Sequence, residues 1–167
     1  MAEISRGATA MRRTSWSRPI ALALDHGLLE GRSVLDYGCG HGDDFRSLRE
    51  LGIDAVGWDP EHLPEGDRRE SEVVNLGFVL NVVEDQRERG EVLRRAHALA
   101  TKLLIVSVRV DRSLNHAERY ADGVITTRNT FQKLYTQSEF RDYVTEILGV
   151  EPVMGDLGIA FVFRDES

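Results

Sequence analysis

The residues with the most chemical content lie in one short stretch, Asp36-Tyr37-Gly38-Cys39-Gly40-His41-Gly42, and in a second acid, Asp59, 21 residues after Gly38. Glycines spaced two apart after a strand let the backbone approach a ligand closely, and a following helix offers unpaired N–H groups. A carboxylate at the tip of the next strand can accept hydrogen bonds from both ribose hydroxyls. Taken alone, Asp59 is equally a strand-ending turn residue; beside the glycine loop it reads as a nucleotide-binding acid.

The elements that must position these residues follow from periodicity and punctuation. Ser17-Arg18-Pro19 reads as a helix start, with Ser17 as N-cap and Pro tolerated in the first turn. The helix carries Ile20, Leu22, Ala23, Leu24, Leu28 and Leu29, with Gly27 near its end. Residues 33–37 form a short strand, and Asp43 or Asp44 caps a helix bearing Phe45, Leu48 and Leu51. A second strand runs from Ile53 to Trp58, and residues 61–72 are a polar loop. A third strand covers 73–79, a helix 85–100, and a nearly continuous apolar strand 103–108, the pattern of a sheet covered on both faces. Residues 111–129 are a long polar loop. Thr136-Gln137-Ser138-Glu139 is a capping box opening a helix stopped by Gly149. Residues 150–154 and 159–163 form a terminal hairpin. Strands alternating with helices make this an α/β fold with a mainly parallel sheet and a C-terminal antiparallel hairpin.

At 167 residues the chain has the size of one domain. The reading is of a basic N-terminal arm, 1–16, and one domain, 17–167. Residues 1–32 hold five arginines against Glu3, Asp25 and Glu30, while the rest of the chain is strongly acidic and the total is -7. That total argues against a free-standing nucleic-acid binder, although the arm could meet an anionic partner. A single cysteine excludes an internal disulfide and a Cys-x-x-Cys zinc site. His26, His62, His97 and His116 are scattered, so no metal is expected. No apolar run approaches the ~20 residues of a membrane helix, and the N-terminus lacks a signal-peptide core. The expectation is a cytoplasmic protein.

Asp36-x-Gly38-x-Gly40-x-Gly42 with a strand-end acid resembles the first motif of class I S-adenosylmethionine-dependent methyltransferases. A nicotinamide fingerprint more often reads Gly-x-Gly-x-x-Gly, without an aspartate two residues ahead. The resemblance implies a Rossmann-like fold whose glycine loop passes under the methionine part of S-adenosylmethionine while Asp59 holds the ribose. Asp36 supports the loop or meets the cofactor's ammonium. It implies cofactor contacts from Asp36, Tyr37, Gly38, Cys39, Gly40, Gly42, Asp59, Pro60, Asn75, Leu76 and Gly77. Residues 35–44, 57–60, 73–85 and 130–137, with 9–13 and 17–19, further resemble a family labelled DNA phosphorothioation-associated putative methyltransferase. Members of that family continue beyond such a domain, so this chain is expected to be a shortened form.

The common class I fold also places a helix and a strand between the ribose acid and the fourth strand. About a dozen residues separate Asp59 from Val73, too few for both. The third strand and its helix are therefore expected to be lost. The adenine side would then be open, walled by Pro60, residues 68–72, Leu76 and Gly77.

Methyl transfer from a sulfonium needs alignment and exclusion of water more than a base, so no triad is required. Asn75-Leu76-Gly77-Phe78 sits where amino-group DNA methyltransferases carry two prolines, both absent here; Asn75 and Phe78 either line the site or belong to core and turn. Cytosine C5 chemistry would need a cysteine in another loop. Asn81 is either a substrate-facing polar group or a helix cap. Arg109 either holds an anionic substrate or is an exposed strand end. Phe131, Gln132 and Tyr135 close over the substrate or pack conventionally. Asn81, Arg109 and Tyr135 are the candidate catalytic residues, and Phe78, Phe131 and Gln132 the candidate substrate contacts. His41, in the glycine loop, is not read as a base. The favoured function is methyl transfer to a small molecule. The alternative is a cofactor-binding accessory module of a nucleic-acid modification system, with a nicotinamide oxidoreductase a distant third. No residue pattern indicates an oligomer interface.

Overall fold

The computed structural model describes residues 15–110, 118–120, 122–125, 131–133 and 135–164. Most of the proposed arm, with Thr130 and Leu134, lies outside the described residues. Helix α1 (Arg18–Asp25) leads into β1 (Val34–Tyr37), α2 (Asp43–Glu50) and β2 (Ala55–Trp58). β3 (Ser71–Gly77), α3 (Gln86–Leu99) and β4 (Ala100–Ser107) follow. The chain then forms three short strands, β5 (Glu118–Tyr120), β6 (Gly123–Ile125) and β7 (Phe131–Lys133), before α4 (Gln137–Leu148), β8 (Val153–Asp156) and β9 (Ile159–Phe163).

The main sheet has the order β2-β1-β3-β4-β9-β8. β1 to β4 are mutually parallel, and β9 and β8 complete the edge antiparallel. Alternate residues serve opposite faces, as the pleat requires. Leu104 and Val106 of β4 join the cluster with Leu93 and Ala96 of α3 and Phe140 and Val144 of α4. Leu103 and Ile105 join the cluster with Ile20 and Ala23 of α1 and Phe45 and Leu48 of α2. Trp16, the last residue of the proposed arm, also packs on that second cluster.

The expected loss of the third strand is present: residues 59–70 hold only turns and the isolated bridge Asp59–Leu63, and β2 is the sheet edge. Three local expectations change. α1 ends at Asp25 instead of continuing to Leu29, whose side chain is nonetheless fully buried. α2 is N-capped by Gly42 in the left-handed region, so neither Asp43 nor Asp44 caps it. The long polar loop contains β5 and β6, which pair with β7 in a separate antiparallel sheet. The signal missed there was Asp122-Gly123 ahead of Val124-Ile125, turn chemistry followed by β-branched residues.

Candidate functional site

The C-terminal tips of β1, β2 and β3 open into a cavity of about 310 Å³, where parallel α/β sheets bind ligands. Its wall contains Asp36, Tyr37, Gly38, Cys39 and Gly40, then Asp59 and Pro60, then Asn75, Gly77 and Phe78. The glycine loop needs its glycines. Gly38, Gly40 and Gly42 have φ of 83°, 58° and 84°, a region costly for residues bearing a Cβ. A Cβ on Gly38 would also meet Val79 Cγ2 at 2.5 Å.

The loop is tied to the tip of β2 by backbone and side chain together. Gly38 and Cys39 donate their N–H groups to Trp58 O at 2.7 and 2.9 Å. Gly40 N–H donates to Asp59 Oδ2 at 2.8 Å. Asp59 Oδ1 accepts from Glu61 N–H at 2.9 Å and His62 N–H at 3.0 Å. His41 and His62 rings lie 4.3 Å apart across the same junction. The carboxylate thus organises both the glycine loop and the turn that replaces the missing strand.

Behind the loop, Asn75 Nδ2 donates to Asp36 Oδ1 at 3.1 Å, and both residues are buried. Asn75 Oδ1 and the buried Ser107 Oγ have no hydrogen-bond partner. A buried acceptor left unpaired is costly; Asn75 belongs to the cavity wall, so a ligand can relieve it. Phe78 holds a positive φ of 60°, unusual for a bulky residue and characteristic of strained functional turns. Its N–H donates to Ser107 O at 2.9 Å. The thiol of Cys39 is pushed up to about 12, first by burial and then by the negative charges of Asp36 and Asp59.

The adenine-side wall expected from residues 68–72 and Leu76 is built differently. Leu76 is fully buried in the core, and residues 68–72 do not line the cavity. The cavity wall instead includes Val82, Val83 and one stripe of α3, Glu88, Glu91, Val92 and Arg95. These residues were not singled out in the sequence, although 88, 91, 92 and 95 have helical spacing. Trp58 lines the cavity beside its register partner Tyr37, with rings 5.2 Å apart and the Arg68 guanidinium 4.4 Å from the indole. Ser17 and Asp44 also line it and were likewise missed as site residues.

Six further candidates stand off this wall. Gly42 caps α2, and Arg109 is exposed beyond β4. Asn81 is 1 % exposed and donates from Nδ2 to Gln132 Oε1 at 3.0 Å. It does not cap α3, whose N-cap is Asp85. Phe131 and Tyr135 are buried, and the Tyr135 hydroxyl is raised above its ordinary range, chiefly by burial. Instead of reaching the cavity, Asn81, Phe131, Gln132 and Tyr135 form the joint between the small sheet and the main body.

Among the described residues no cluster of three metal-ligating side chains occurs, and no helix is long and apolar enough to cross a membrane. A family model described as a methyltransferase domain matches residues 9–147. No curated protein matches the sequence. Among solved structures, 1,6-didemethyltoxoflavin-N1-methyltransferase from Burkholderia thailandensis is similar, with 15% identity and a TM-score of 0.61 over 89% of this chain and 76% of that one. The sugar N-methyltransferase KedS8 from a Streptoalloteichus species has 14% identity and a TM-score of 0.64, covering 89% and 87%. The CcbJ methyltransferase from Streptomyces caelestis has 14% identity and a TM-score of 0.53, covering 88% and 91%. At these identities the likeness is one of fold.

Proposed function

The chain belongs to the methyltransferase-domain family, and we propose from that premise that it transfers a methyl group from S-adenosylmethionine to a small molecule. One observation carries the reading: a positive-φ glycine loop hydrogen-bonded to a strand-end carboxylate on the wall of one cavity. The unpartnered Asn75 Oδ1 fits a polar cofactor there. When bound, the sulfonium supplies an electrophilic methyl carbon and a neutral thioether leaving group.

The chain's own residues then have limited tasks. Gly38 and Gly40 offer a wall without side-chain bulk. Asn75 holds the Asp36 carboxylate in place. Asp59 accepts from the ribose. A carboxylate has about four acceptor positions, and three are already engaged by backbone N–H groups. Two ribose hydroxyls therefore require one of these bonds to be given up, and the Gly40 bond is the one shared with the glycine loop. Phe78 shapes the acceptor side and helps to exclude water.

A small acceptor suits the acidic wall: Asp44, Glu61, Glu88 and Glu91 stand there against Arg95, a poor match for a phosphate backbone. The B. thailandensis structure contains 1,6-didemethyltoxoflavin with S-adenosylhomocysteine, and KedS8 is named for a sugar. The narrower resemblance, to phosphorothioation-associated methyltransferases, belongs to this proposal. So do a cytoplasmic site of action and a division into an arm, 1–16, and a domain from residue 17. Salt-sensitive duplex binding lost on removal of residues 1–16 would favour the accessory-module alternative instead.

Calorimetry with S-adenosylhomocysteine tests the reading. The wild type should bind, and Asp59→Asn should bind about tenfold more weakly or worse, as expected for losing a charge-assisted contact. No binding by the wild type overturns it.

A further inference from the structure

The first turn of α1 holds an unspent hydroxyl. A serine at a helix N-cap ordinarily accepts a hydrogen bond from the N–H of the second or third helical residue. Ser17 stands at the N-cap of α1 with extended backbone angles, but its side chain makes no cap bond. Pro19, the second helical residue, has no N–H to offer. Ser17 is 4 % exposed, its Oγ is buried with no hydrogen-bond partner, and the residue forms part of the cavity wall. Desolvating a hydroxyl without a partner is unfavourable, so a ligand that accepts from it relieves that cost.

Asp44 repeats the pattern. It lies in the first turn of α2, whose N-cap Gly42 has no side-chain cap bond. Rather than capping its own helix, Asp44 accepts the Ser17 N–H on Oδ1 at 3.1 Å, and it too lines the cavity. The Asp44 side chain is thus spent on the Ser17 backbone beside the glycine loop, and the Ser17 hydroxyl stays without a partner. The adjacent cation is directed elsewhere: Arg18 donates to Asp156 Oδ2 and Leu157 O.

We infer that Ser17 and Asp44 hold the amino-acid end of S-adenosylmethionine, an assignment that rests on the proposed function and adds two residues to its site. That end is a zwitterion and asks for one partner of each kind. Its carboxylate takes the Ser17 hydroxyl at the positive N-terminal end of α1. Its ammonium takes the Asp44 carboxylate, of which Oδ1 is engaged by the Ser17 N–H. Asp36 also lines the wall and has one oxygen engaged by the Asn75 amide, but it is buried, whereas Asp44 is half-buried.

The test compares two ligands on the full chain by calorimetry. S-adenosylhomocysteine carries the amino-acid end; 5′-methylthioadenosine keeps the adenosine and thioether and lacks it. Ser17→Ala should weaken the first about five- to tenfold and leave the second unchanged. Asp44→Asn, which keeps an acceptor for the Ser17 N–H, should show the same one-sided loss and serves as the second variant should the first fold poorly. Equal weakening of both ligands, or unchanged binding of S-adenosylhomocysteine, overturns the assignment while the functional reading stands. A wild type that binds neither ligand overturns both.

Discussion

At the scale of single residues, the site is organised by groups whose chemistry is suppressed. Cys39 stands on the cavity wall, yet burial and then two neighbouring carboxylates push its thiol up to about 12. The thiolate is the reactive species, so Cys39 should alkylate with iodoacetamide at pH 8 at least about a hundredfold more slowly than glutathione, and at an ordinary rate once the chain is unfolded in urea. A glutathione-like rate in the folded protein, followed by mass spectrometry, would contradict a half-buried thiol beside two carboxylates. The glycine loop was legible in the sequence because its backbone demands are met by one residue type: Gly38, Gly40 and Gly42 all take positive φ. Ser17 and Asp44 were read as caps, since short polar residues ahead of an apolar run normally are. Only the geometry reveals that neither hydroxyl nor carboxylate caps its own helix. Asn81 and Gln132 show a related ambiguity: a polar residue after a strand reads as a site residue, whereas here Asn81 Nδ2 is spent on Gln132 Oε1 in the interior and Asn81 Oδ1 is left without a partner.

At the scale of elements, the serine and threonine N-caps of α1 and α4 predict unequal responses to the same substitution. Thr136 opens α4 and its Oγ1 accepts the Glu139 N–H at 3.1 Å. Losing that bond leaves an N–H of the first turn unpaired, so Thr136→Ala should cost about 1 kcal/mol in urea unfolding. Ser17→Ala removes a hydroxyl that makes no bond, and should change stability by less than about 0.5 kcal/mol. Equal losses would mean that Ser17 caps α1 in solution. The same scale explains what was legible of the fold. The apolar run of β4, buried on both faces, announced a parallel core strand. The count of residues between Asp59 and β3 excluded a third strand with its helix by length alone. What the sequence did not reveal was the rest of the cavity wall: α3 presents Glu88, Glu91, Val92 and Arg95 to the cavity, and nothing in their composition distinguishes that stripe from a solvated helix face. β5 and β6 were missed because three-residue strands carry too little period-two pattern to outweigh the polar residues around them.

At the scale of the whole molecule, a polar joint helps to fasten the small sheet to the main body, beside the Lys133–Glu139 ion pair at 3.7 Å. Lys133 N–H donates to Asn81 O at 2.7 Å, Asn81 reaches Gln132, and Arg89 closes the assembly. The Arg89 side chain is 2 % exposed; it gives two bonds to Val83 O and a bidentate pair, at 2.5 and 3.0 Å, to Asp122. The guanidinium also lies over the Phe131 ring, 5.6 Å from its centre. Removing one partner of such a pair strands a buried charge, so Asp122→Asn should lose about 3 kcal/mol at pH 7. For Asp122, burial opposes the charged form, but the hydrogen bonds and charge of Arg89 outweigh it and hold the carboxyl below its usual range. A carboxyl depressed on folding stabilises the protein above its unfolded pKa, and that contribution disappears as pH falls through the folded value. For Arg89, burial likewise opposes the charge and the Asp122 hydrogen bond prevails, raising it further, so Arg89 stays protonated across this acid range. The gap in unfolding free energy between wild type and Asp122→Asn should therefore be constant from pH 5 to 8 and narrow below about pH 4. Urea titrations at pH 7 and pH 3 measure it. A gap of the same size at both would mean that the Asp122 carboxylate's charge does not contribute to the joint, and that the small sheet is held by Asn81, Gln132 and the packing of Phe131 and Tyr135 instead.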